Sequence, residues 1–281
     1  MIEEARGRID FDDAGGTGPT VVLVPGSCST GAAWRPVIAS WEGRFRCVTT
    51  SLLGYGGTAE RRTAHDPCIS HEAESLESVI RKAGGPVHLV GHSFGGLVAL
   101  AVALRNRVPL ASLAIVEAPA AELLRASNED HHYRTFRQMT KSYFADFESG
   151  NSEAIASMID FYGGPGTYAS WPARVRAYAV ETTPVNILDW ASAYGFRLSG
   201  SDLAALRVPA LVLRGGASHP AVQRANELLG TCIRDASLVT IVGAAHFMIA
   251  THAGEVARAV ARLVQRRDRP DTGSGLESGA E

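Results

Sequence analysis

Short, continuous apolar runs alternate with helix-like segments along much of the chain. Six such runs stand at residues 21–24, 45–50, 87–90, 113–116, 210–213 and 238–242. Because neither face of these runs is polar, each predicted strand must be covered on both sides, which is typical of a parallel sheet between layers of helices. Segments 70–83 and 223–229 have the composition of covering helices. The run 8–11 predicts an additional antiparallel strand at the edge of the sheet.

The pattern changes between residues 120 and 200, where no segment predicts a strand. The segment reads as several helices that are broken at residues 163–166 and at Thr183-Pro184. It also holds 13 of the 20 aromatic residues of the chain, among them Tyr143, Tyr162, Trp171 and Trp190. A small helical subdomain with its own core would explain these side chains, and so would a lid whose aromatic residues line a pocket against the sheet. The two interpretations are compatible, because a lid also needs a core.

These patterns predict one interrupted domain. Residues 1–119 and 201–265 form the α/β core, and residues 120–200 form an inserted helical cap. Residues 266–281 are almost devoid of apolar side chains and predict a disordered tail.

Composition places the chain among ordinary globular proteins, with 46% hydrophobic and 20% charged residues over a length of 281. The 27 Lys and Arg residues are balanced by 29 Asp and Glu residues, for a net charge of −2. A protein that grips a phosphate backbone usually carries a strong positive excess, so nucleic acid is not expected as a partner.

The same composition predicts a cytoplasmic location. The acidic start, residues 1–6, lacks the basic and apolar blocks of a signal peptide. No apolar run approaches the roughly 18 residues of a membrane span, so no membrane partner is expected. The four cysteines, Cys28, Cys47, Cys68 and Cys232, are too few for a disulfide framework and lack metal-ligand spacing. A homodimer is compatible with the sequence.

One short motif carries candidate chemistry. Residues 91–95 read Gly-His-Ser-Phe-Gly, which fits G-x-S-x-G, and they join a predicted strand to an apolar predicted helix over residues 96–104. In such a tight strand–turn–helix, side chains two positions either side of the serine would clash, which explains the glycines. The turn holds the serine hydroxyl above the sheet edge, next to the positive end of the helix. Ser93 is therefore a candidate nucleophile, although a glycine-rich turn with an incidental serine would fit the same pattern.

With this motif, and with Gly243-Ala244-Ala245-His246 after the last predicted strand, the chain resembles the α/β-hydrolase fold superfamily. The resemblance covers about residues 8–264 and is to the subset with an inserted helical cap. It implies an α/β fold with a mostly parallel central sheet flanked by helices. It also implies a serine hydrolase of the esterase or lactonase kind, with His246 as the base, no cofactor and no metal.

The acid of the expected triad is missing from its usual place. Residues 213–220, after the penultimate predicted strand, contain no carboxylate. Glu117 directly follows the predicted strand 113–116, and several branches of the superfamily carry their acid at that point. In other members an acidic residue there only holds the loop, which would leave Ser218 as a weak polar substitute. We predict that Glu117 is the acid that orients His246.

The resemblance also implies two backbone N–H donors for the oxyanion, those of Phe94 and of Ser27 in the loop 25–29. Cys28 lies in the same loop without a base of its own at readable spacing, so it is a poor candidate nucleophile. The expected substrate contacts are Cys28, Trp171, Trp190 and Phe247. Arginines of the cap, namely Arg134, Arg174 and Arg176, would either meet a substrate carboxylate or face water.

The sequence thus predicts cleavage of a carboxylic ester or lactone of a hydrophobic or aromatic small molecule, through an acyl-enzyme on Ser93. Two alternatives stay open: a hydrolase of carbon–carbon bonds on the same fold, and a small-molecule receptor with slow or no turnover. Serine at position 93 argues against the dehalogenase and epoxide-hydrolase branches of the superfamily, whose chemistry uses a carboxylate nucleophile.

Overall fold

A computed structural model describes residues 1–5 and 7–268 of the chain. Its strands are β1 (Ile2–Glu4), β2 (Gly7–Ile9), β3 (Asp12–Asp13), β4 (Thr20–Val24), β5 (Arg46–Thr49), β6 (Val87–His92), β7 (Leu110–Val116), β8 (Ala210–Gly215) and β9 (Ala236–Ile241). Its α-helices are α1 (Arg35–Ala39), α2 (Ser70–Ala83), α3 (Phe94–Arg105), α4 (Ala121–Ala126), α5 (Asp130–Glu148), α6 (Ile155–Gly163), α7 (Thr167–Ser170), α8 (Ala173–Glu181), α9 (Thr183–Gly195), α10 (Gly200–Ala204), α11 (Pro220–Cys232), α12 (Met248–Thr251) and α13 (Ala253–Asp268).

The main sheet has seven strands in the order β3-β5-β4-β6-β7-β8-β9. Strands β4 to β9 are parallel to their neighbours, and β3 pairs with β5 in the antiparallel sense. The predicted α/β class with a mostly parallel sheet is confirmed. The predicted edge strand over residues 8–11 is wrong in position: Arg8 and Ile9 pair instead with Glu3 and Ile2 in a separate two-stranded sheet. Strand β3 (Asp12–Asp13) forms the antiparallel edge of the main sheet.

The inner strands are continuously apolar because both faces of the sheet are buried there. The expectation that every predicted strand is covered on both sides is wrong for the edge strand β9, where Leu238 and Val239 are 37% and 36% exposed. Along β4, Val22 and Val24 join one hydrophobic cluster, whereas Val21 and Leu23 join a second cluster on the opposite face. All four side chains are at most 1% exposed. The period-2 alternation of side chains is thus present but invisible in the sequence, since both sides demand apolar residues.

Seven helices, α4 to α10, lie between β7 and β8, where the sequence predicts a helical insertion. Their aromatic residues do not form a separate core. Phe136, Tyr143 and Trp190 belong to the same hydrophobic cluster as Leu89 and Leu113 of the sheet. The insertion is therefore packed on the α/β core through one continuous apolar interior.

The C-terminal helix extends into the segment predicted as a disordered tail. α13 continues to Asp268, so the first residues of the predicted tail are helical, and the rest of that tail, 269–281, lies outside the described residues. Within the described part of the chain, no helix combines the length and apolarity needed to cross a bilayer.

Candidate active site

The loops that follow five adjacent strands meet at one edge of the sheet. Because β4, β6, β7, β8 and β9 are parallel neighbours, their carboxyl ends lie side by side. Ser27 follows β4, Ser93 follows β6, Glu117 follows β7, and His246 stands between β9 and α12. Ligands of open α/β sheets bind at this edge, so four of the predicted site residues converge on the place where a ligand is expected.

The turn that carries Ser93 is strained and depends on close backbone approach. Ser93 has a φ of 54°, in the left-handed region that non-glycine residues rarely adopt. A Cβ at Gly91 would collide with the carbonyl of Gly95, and a Cβ at Gly95 would collide with that of Pro25. The predicted clash within the turn is confirmed for Gly91, whereas Gly95 is required because the loop after β4 approaches it. Ser93 precedes the first turn of α3, which places its hydroxyl near the positive end of that helix.

His246 bridges Ser93 and Glu117. Its Nε2 atom lies 2.9 Å from Ser93 Oγ, and its Nδ1 atom lies 2.9 Å from Glu117 Oε2. The imidazole is buried, with 2% of the residue exposed. A carboxylate on Nδ1 fixes the tautomer that carries the proton there, which leaves Nε2 free to accept a proton from the serine.

Glu117 is completely buried and bound on both oxygens. Its Oε1 atom accepts hydrogen bonds from the backbone N–H of Gly215 and from Ser218 Oγ, both at 2.6 Å, while Oε2 faces His246. Its backbone φ of 52° is also left-handed. The last residue of β8 and the loop that follows it, where the superfamily usually carries the acid, thus supply donors to the carboxylate that follows β7. Ser218 thus donates to Glu117, and the group that contacts His246 Nδ1 is Glu117. The hydrogen bond between Ser218 and Glu117 was not predicted from the sequence.

The side chains of His92 and Tyr162 also contact His246. Burial lowers the pKa of His92 to about 3, so this side chain is a neutral imidazole whose Nε2–H donates to the backbone carbonyl of His246 at 2.9 Å. Tyr162, from α6 of the insertion, packs its ring 4.2 Å from the imidazole of His246, centroid to centroid. The insertion therefore covers the histidine directly. The aromatic composition of the segment predicted such a role in general but not for Tyr162 in particular.

The loop after β4 lies against the nucleophile turn. A Cβ at Gly26 would come within 2.8 Å of Ser93 Cβ, so the following residue, Ser27, is next to the serine. The Ser27 hydroxyl donates to Asp189 Oδ2 at 2.5 Å. Phe94, the first predicted donor, is the first residue of α3, and backbone N–H groups at a helix start have no partner within the helix. Cys28 is buried enough that desolvation raises the pKa of its thiol to about 12, which disfavours it as a nucleophile.

A cavity of about 320 Å³ lies between the insertion and this edge of the sheet. Its walls include Ser93 and His246, and all four predicted contact residues, Cys28, Trp171, Trp190 and Phe247. Asp189 is the only Asp, Glu, Lys or Arg among the described residues that line it. Arg134 and Arg174 are exposed, and Arg176 stacks on Tyr168, so these three arginines lie outside the cavity wall.

Nowhere in the described residues do three or more His, Cys, Asp or Glu side chains gather in a way that could hold a metal ion.

A buried charge network behind the cavity was not predicted from the sequence. The Arg62 guanidinium, which is fully buried, lies 2.7 Å from carboxylate oxygens of both Asp189 and Glu60, and 3.3 Å from Glu72. Burial raises the pKa of Asp189, while Arg62 and the hydroxyls of Ser27 and Tyr55 act in the opposite direction. Arg61-Arg62 reads in the sequence like an ordinary exposed basic pair. Glu60 is a near neighbour, but nothing local shows that Arg62 is buried or that Asp189, 127 residues away, also pairs with it.

The fold and the site together define the class of protein. The chain belongs to the alpha/beta hydrolase family, whose family model matches residues 21–259. Among curated proteins, haloalkane dehalogenase 2 of Mycobacterium tuberculosis is 32% identical over 106 residues, which are 37% of this chain and 36% of that protein. The match to that relative thus spans about a third of its length.

Solved structures show the same fold over nearly the whole chain. A thermophilic esterase from Thermogutta terrifontis superposes with a TM-score of 0.71 at 23% identity and covers 93% of this chain and 94% of that one. The enol-lactonase from Burkholderia xenovorans LB400 superposes with a TM-score of 0.70 at 18% identity, covering 92% of this chain and 96% of that one. At these identities the likeness concerns the fold.

Proposed function

We propose that this protein is a serine hydrolase that cleaves a carboxylic ester or lactone through an acyl-enzyme on Ser93. The observation that supports this most directly is the continuous hydrogen-bonded series Ser93–His246–Glu117, with 2.9 Å at each contact of the histidine. A serine hydroxyl is a weak nucleophile unless a neighbouring base takes its proton, and this geometry provides the base and a carboxylate that orients it.

In the acylation step, Ser93 Oγ forms a bond to the carbonyl carbon while its proton moves to His246 Nε2. Glu117 stabilises the imidazolium that results, and the backbone N–H groups of Phe94 and Ser27 stabilise the oxyanion. The carbon–oxygen bond to the alcohol then breaks as His246 returns the proton to the leaving oxygen. Water, deprotonated by His246, attacks the acyl carbon and releases the acid and free Ser93.

The hydrolysis of an alkyl halide is not favoured, despite the name of one relative. Displacement of halide by an enzyme carboxylate yields an ester that water can hydrolyse, whereas displacement by Ser93 would leave a stable ether. The residue that contacts His246 Nε2 is a serine, so acyl transfer is the chemistry that this arrangement can complete.

A fluorophosphonate probe tests the assignment of the nucleophile. We expect rapid covalent labelling of the wild-type protein at Ser93, identified by mass spectrometry, no labelling in Ser93→Ala, and strongly slowed labelling in His246→Ala. A parallel screen of aryl esters and γ-lactones should show turnover that is lost in the same variants. Tight binding of small apolar ligands with neither labelling nor turnover would contradict the proposal and identify the protein as a receptor.

The cavity wall supports a neutral, largely apolar substrate. Its aromatic and aliphatic members include Phe94, Met158, Ile159, Trp171 and Trp190. The one charged lining residue, Asp189, is already paired with Arg62, and no arginine or lysine among the described lining residues would compensate for the charge of a buried substrate anion. The Oδ1 atom of Asn186 is buried in this wall without a hydrogen-bond partner among the described residues, so it is available to a neutral donor group of the substrate.

Two esters that differ in charge test this preference. We expect kcat/KM for 4-nitrophenyl heptanoate to exceed that for the singly charged 4-nitrophenyl adipate by roughly tenfold or more, since burial of an uncompensated carboxylate is costly. Release of 4-nitrophenolate measures both rates after correction for spontaneous hydrolysis. Equal kcat/KM values, or a preference for the adipate, would contradict the proposed preference for a neutral acyl group.

A further inference from the structure

Asp189 belongs to the helical insertion, yet its carboxylate binds only side chains of the α/β core among the hydrogen bonds described. It lies on α9 and is 2% exposed. Its Oδ2 atom accepts from Ser27 Oγ at 2.5 Å and from Tyr55 Oη at 2.7 Å, and its Oδ1 atom accepts from Arg62 at 2.7 Å. Ser27 stands in the loop after β4, and the other two stand between β5 and α2. One carboxylate thus joins three segments.

The loop held in this way is the one that carries the second proposed oxyanion donor. Cys28, the residue after Ser27, has a left-handed φ of 56°. Such a conformation persists in a non-glycine residue only where surrounding contacts enforce it. Inside the loop, Ser29 Oγ donates to the carbonyl of Gly26 at 2.8 Å. From outside, Asp189 binds Ser27 directly. Tyr55, the second donor to Asp189, is also among the groups that interact with Cys28.

We propose that Asp189 is a positioning residue that sets the direction of the Ser27 backbone N–H through the Ser27 hydroxyl. The inference rests on the proposed function, because it assigns a reason for the geometry of the proposed oxyanion site. It has a consequence for the whole insertion: the N–H of Ser27 is aimed at the substrate carbonyl only while α9 is docked on the core.

The expected effect follows from what a donor contributes. Complete loss of one oxyanion donor costs about 10²–10³-fold in kcat. The Ser27→Ala variant retains the N–H and removes only the hydroxyl that anchors it, so a part of that loss is expected, about tenfold in kcat with KM little changed. Substrate binding in the ground state does not depend on the oxyanion donors, whereas the transition state does.

A matched control is available on the same helix. Ser192 also lies on α9, is 1% exposed, and donates its hydroxyl to the core, namely to the carbonyl of Pro67. Ser192→Ala removes an equivalent contact between the insertion and the core without touching the loop after β4. If Ser27 acts only by fastening the insertion, the two variants will lose the same activity and the same thermal stability.

A tetrahedral adduct separates positioning from general damage. An alkyl trifluoromethyl ketone forms an oxyanion adduct with a nucleophilic serine, whereas the matching methyl ketone reports binding in the ground state. We expect Ser27→Ala to weaken inhibition by the trifluoromethyl ketone about tenfold relative to Ser192→Ala, with the methyl ketone unaffected. Equal inhibition constants in the two variants would overturn the inference and leave the proposed function standing. Absence of Ser93 labelling and turnover in the wild-type protein would instead overturn the proposed function.

Discussion

Glu117→Gln should lower kcat for an aryl ester about 10⁴-fold, the size of effect seen when an amide replaces the acid of a Ser–His–acid triad. The structure determines how the side-chain amide of the introduced glutamine must be oriented. Gly215 N–H and Ser218 Oγ both donate to Oε1, so the glutamine oxygen is required there and the NH₂ group must face His246. His246 Nδ1 then has to accept, which moves its proton to Nε2 and leaves no base for Ser93.

Folding should be almost unaffected by this change, because the side chain keeps its shape and both donors to Oε1. Thermal denaturation and the rate of fluorophosphonate labelling check the two halves of the prediction. Glu122→Gln serves as the control, since Glu122 is also buried, at 5% exposed, but binds Arg125 and Tyr133 instead of the histidine. Turnover of Glu117→Gln equal to that of Glu122→Gln would refute Glu117 as the acid.

Arg62→Met should cause the largest loss of stability among single changes at the charge network, about 3–5 kcal/mol. Methionine fills most of the space but leaves Asp189, Glu72 and Glu60 facing one another without a cation. For a domain of this size the expected fall in Tm is about 2–4 °C for each kcal/mol. Differential scanning calorimetry at pH 7 measures it.

The pH dependence gives this prediction a second signature. With Arg62 present, burial already raises the pKa of Glu72 to about 8, above its ordinary value of 4.5, and Arg62 opposes the rise. Removal of Arg62 raises the pKa of folded Glu72 further. Above pH 8 the wild-type folded state has lost this proton while the variant still holds it, so the stability deficit of the variant should widen as the pH increases from 8 to 9.

Arg105→Met is the matched control for the network. Arg105 also binds two carboxylates, those of Glu77 and Glu74, but its side chain is 20% exposed. Partly solvated pairs of this kind contribute about 0–1 kcal/mol. Equal losses in the two variants, with no widening at high pH, would show that the buried network contributes no more than a surface ion pair.

Several parts of this molecule could be read from local sequence. The continuous apolar runs identified β4 to β8 because burial on both faces leaves a pattern that needs no knowledge of partners. The same pattern marked β9, although that edge strand is largely exposed, with Leu238 at 37%. The glycines around Ser93 identified the nucleophile turn as a short motif. The clash that Gly91 avoids lies within the turn, whereas the clash that Gly95 avoids is with Pro25 of a distant segment.

The edge strand and the polar contacts were different. Residues 8–11 have strand-like composition, but their pairing was decided by competition between two partners, β1 and the main sheet, which composition does not rank. The donors that hold Glu117 stand 98 and 101 residues from it, and Asp189 stands 127 residues from its partner Arg62. Charged and polar residues at such positions look like surface residues in the sequence.

The sequence by itself therefore determined the α/β class, the helical insertion and Ser93 and His246 as candidates, because each depends on local periodicity or on a short motif. The absence of a carboxylate after the penultimate predicted strand made Glu117 a hypothesis. Only the tertiary structure showed that Glu117 contacts His246 and that Asp189 binds Ser27. It also showed that the insertion and the sheet share one apolar interior. The physical reason is that hydrogen bonds and ion pairs are set by distance in space, and strand order brings together residues that chain order keeps apart.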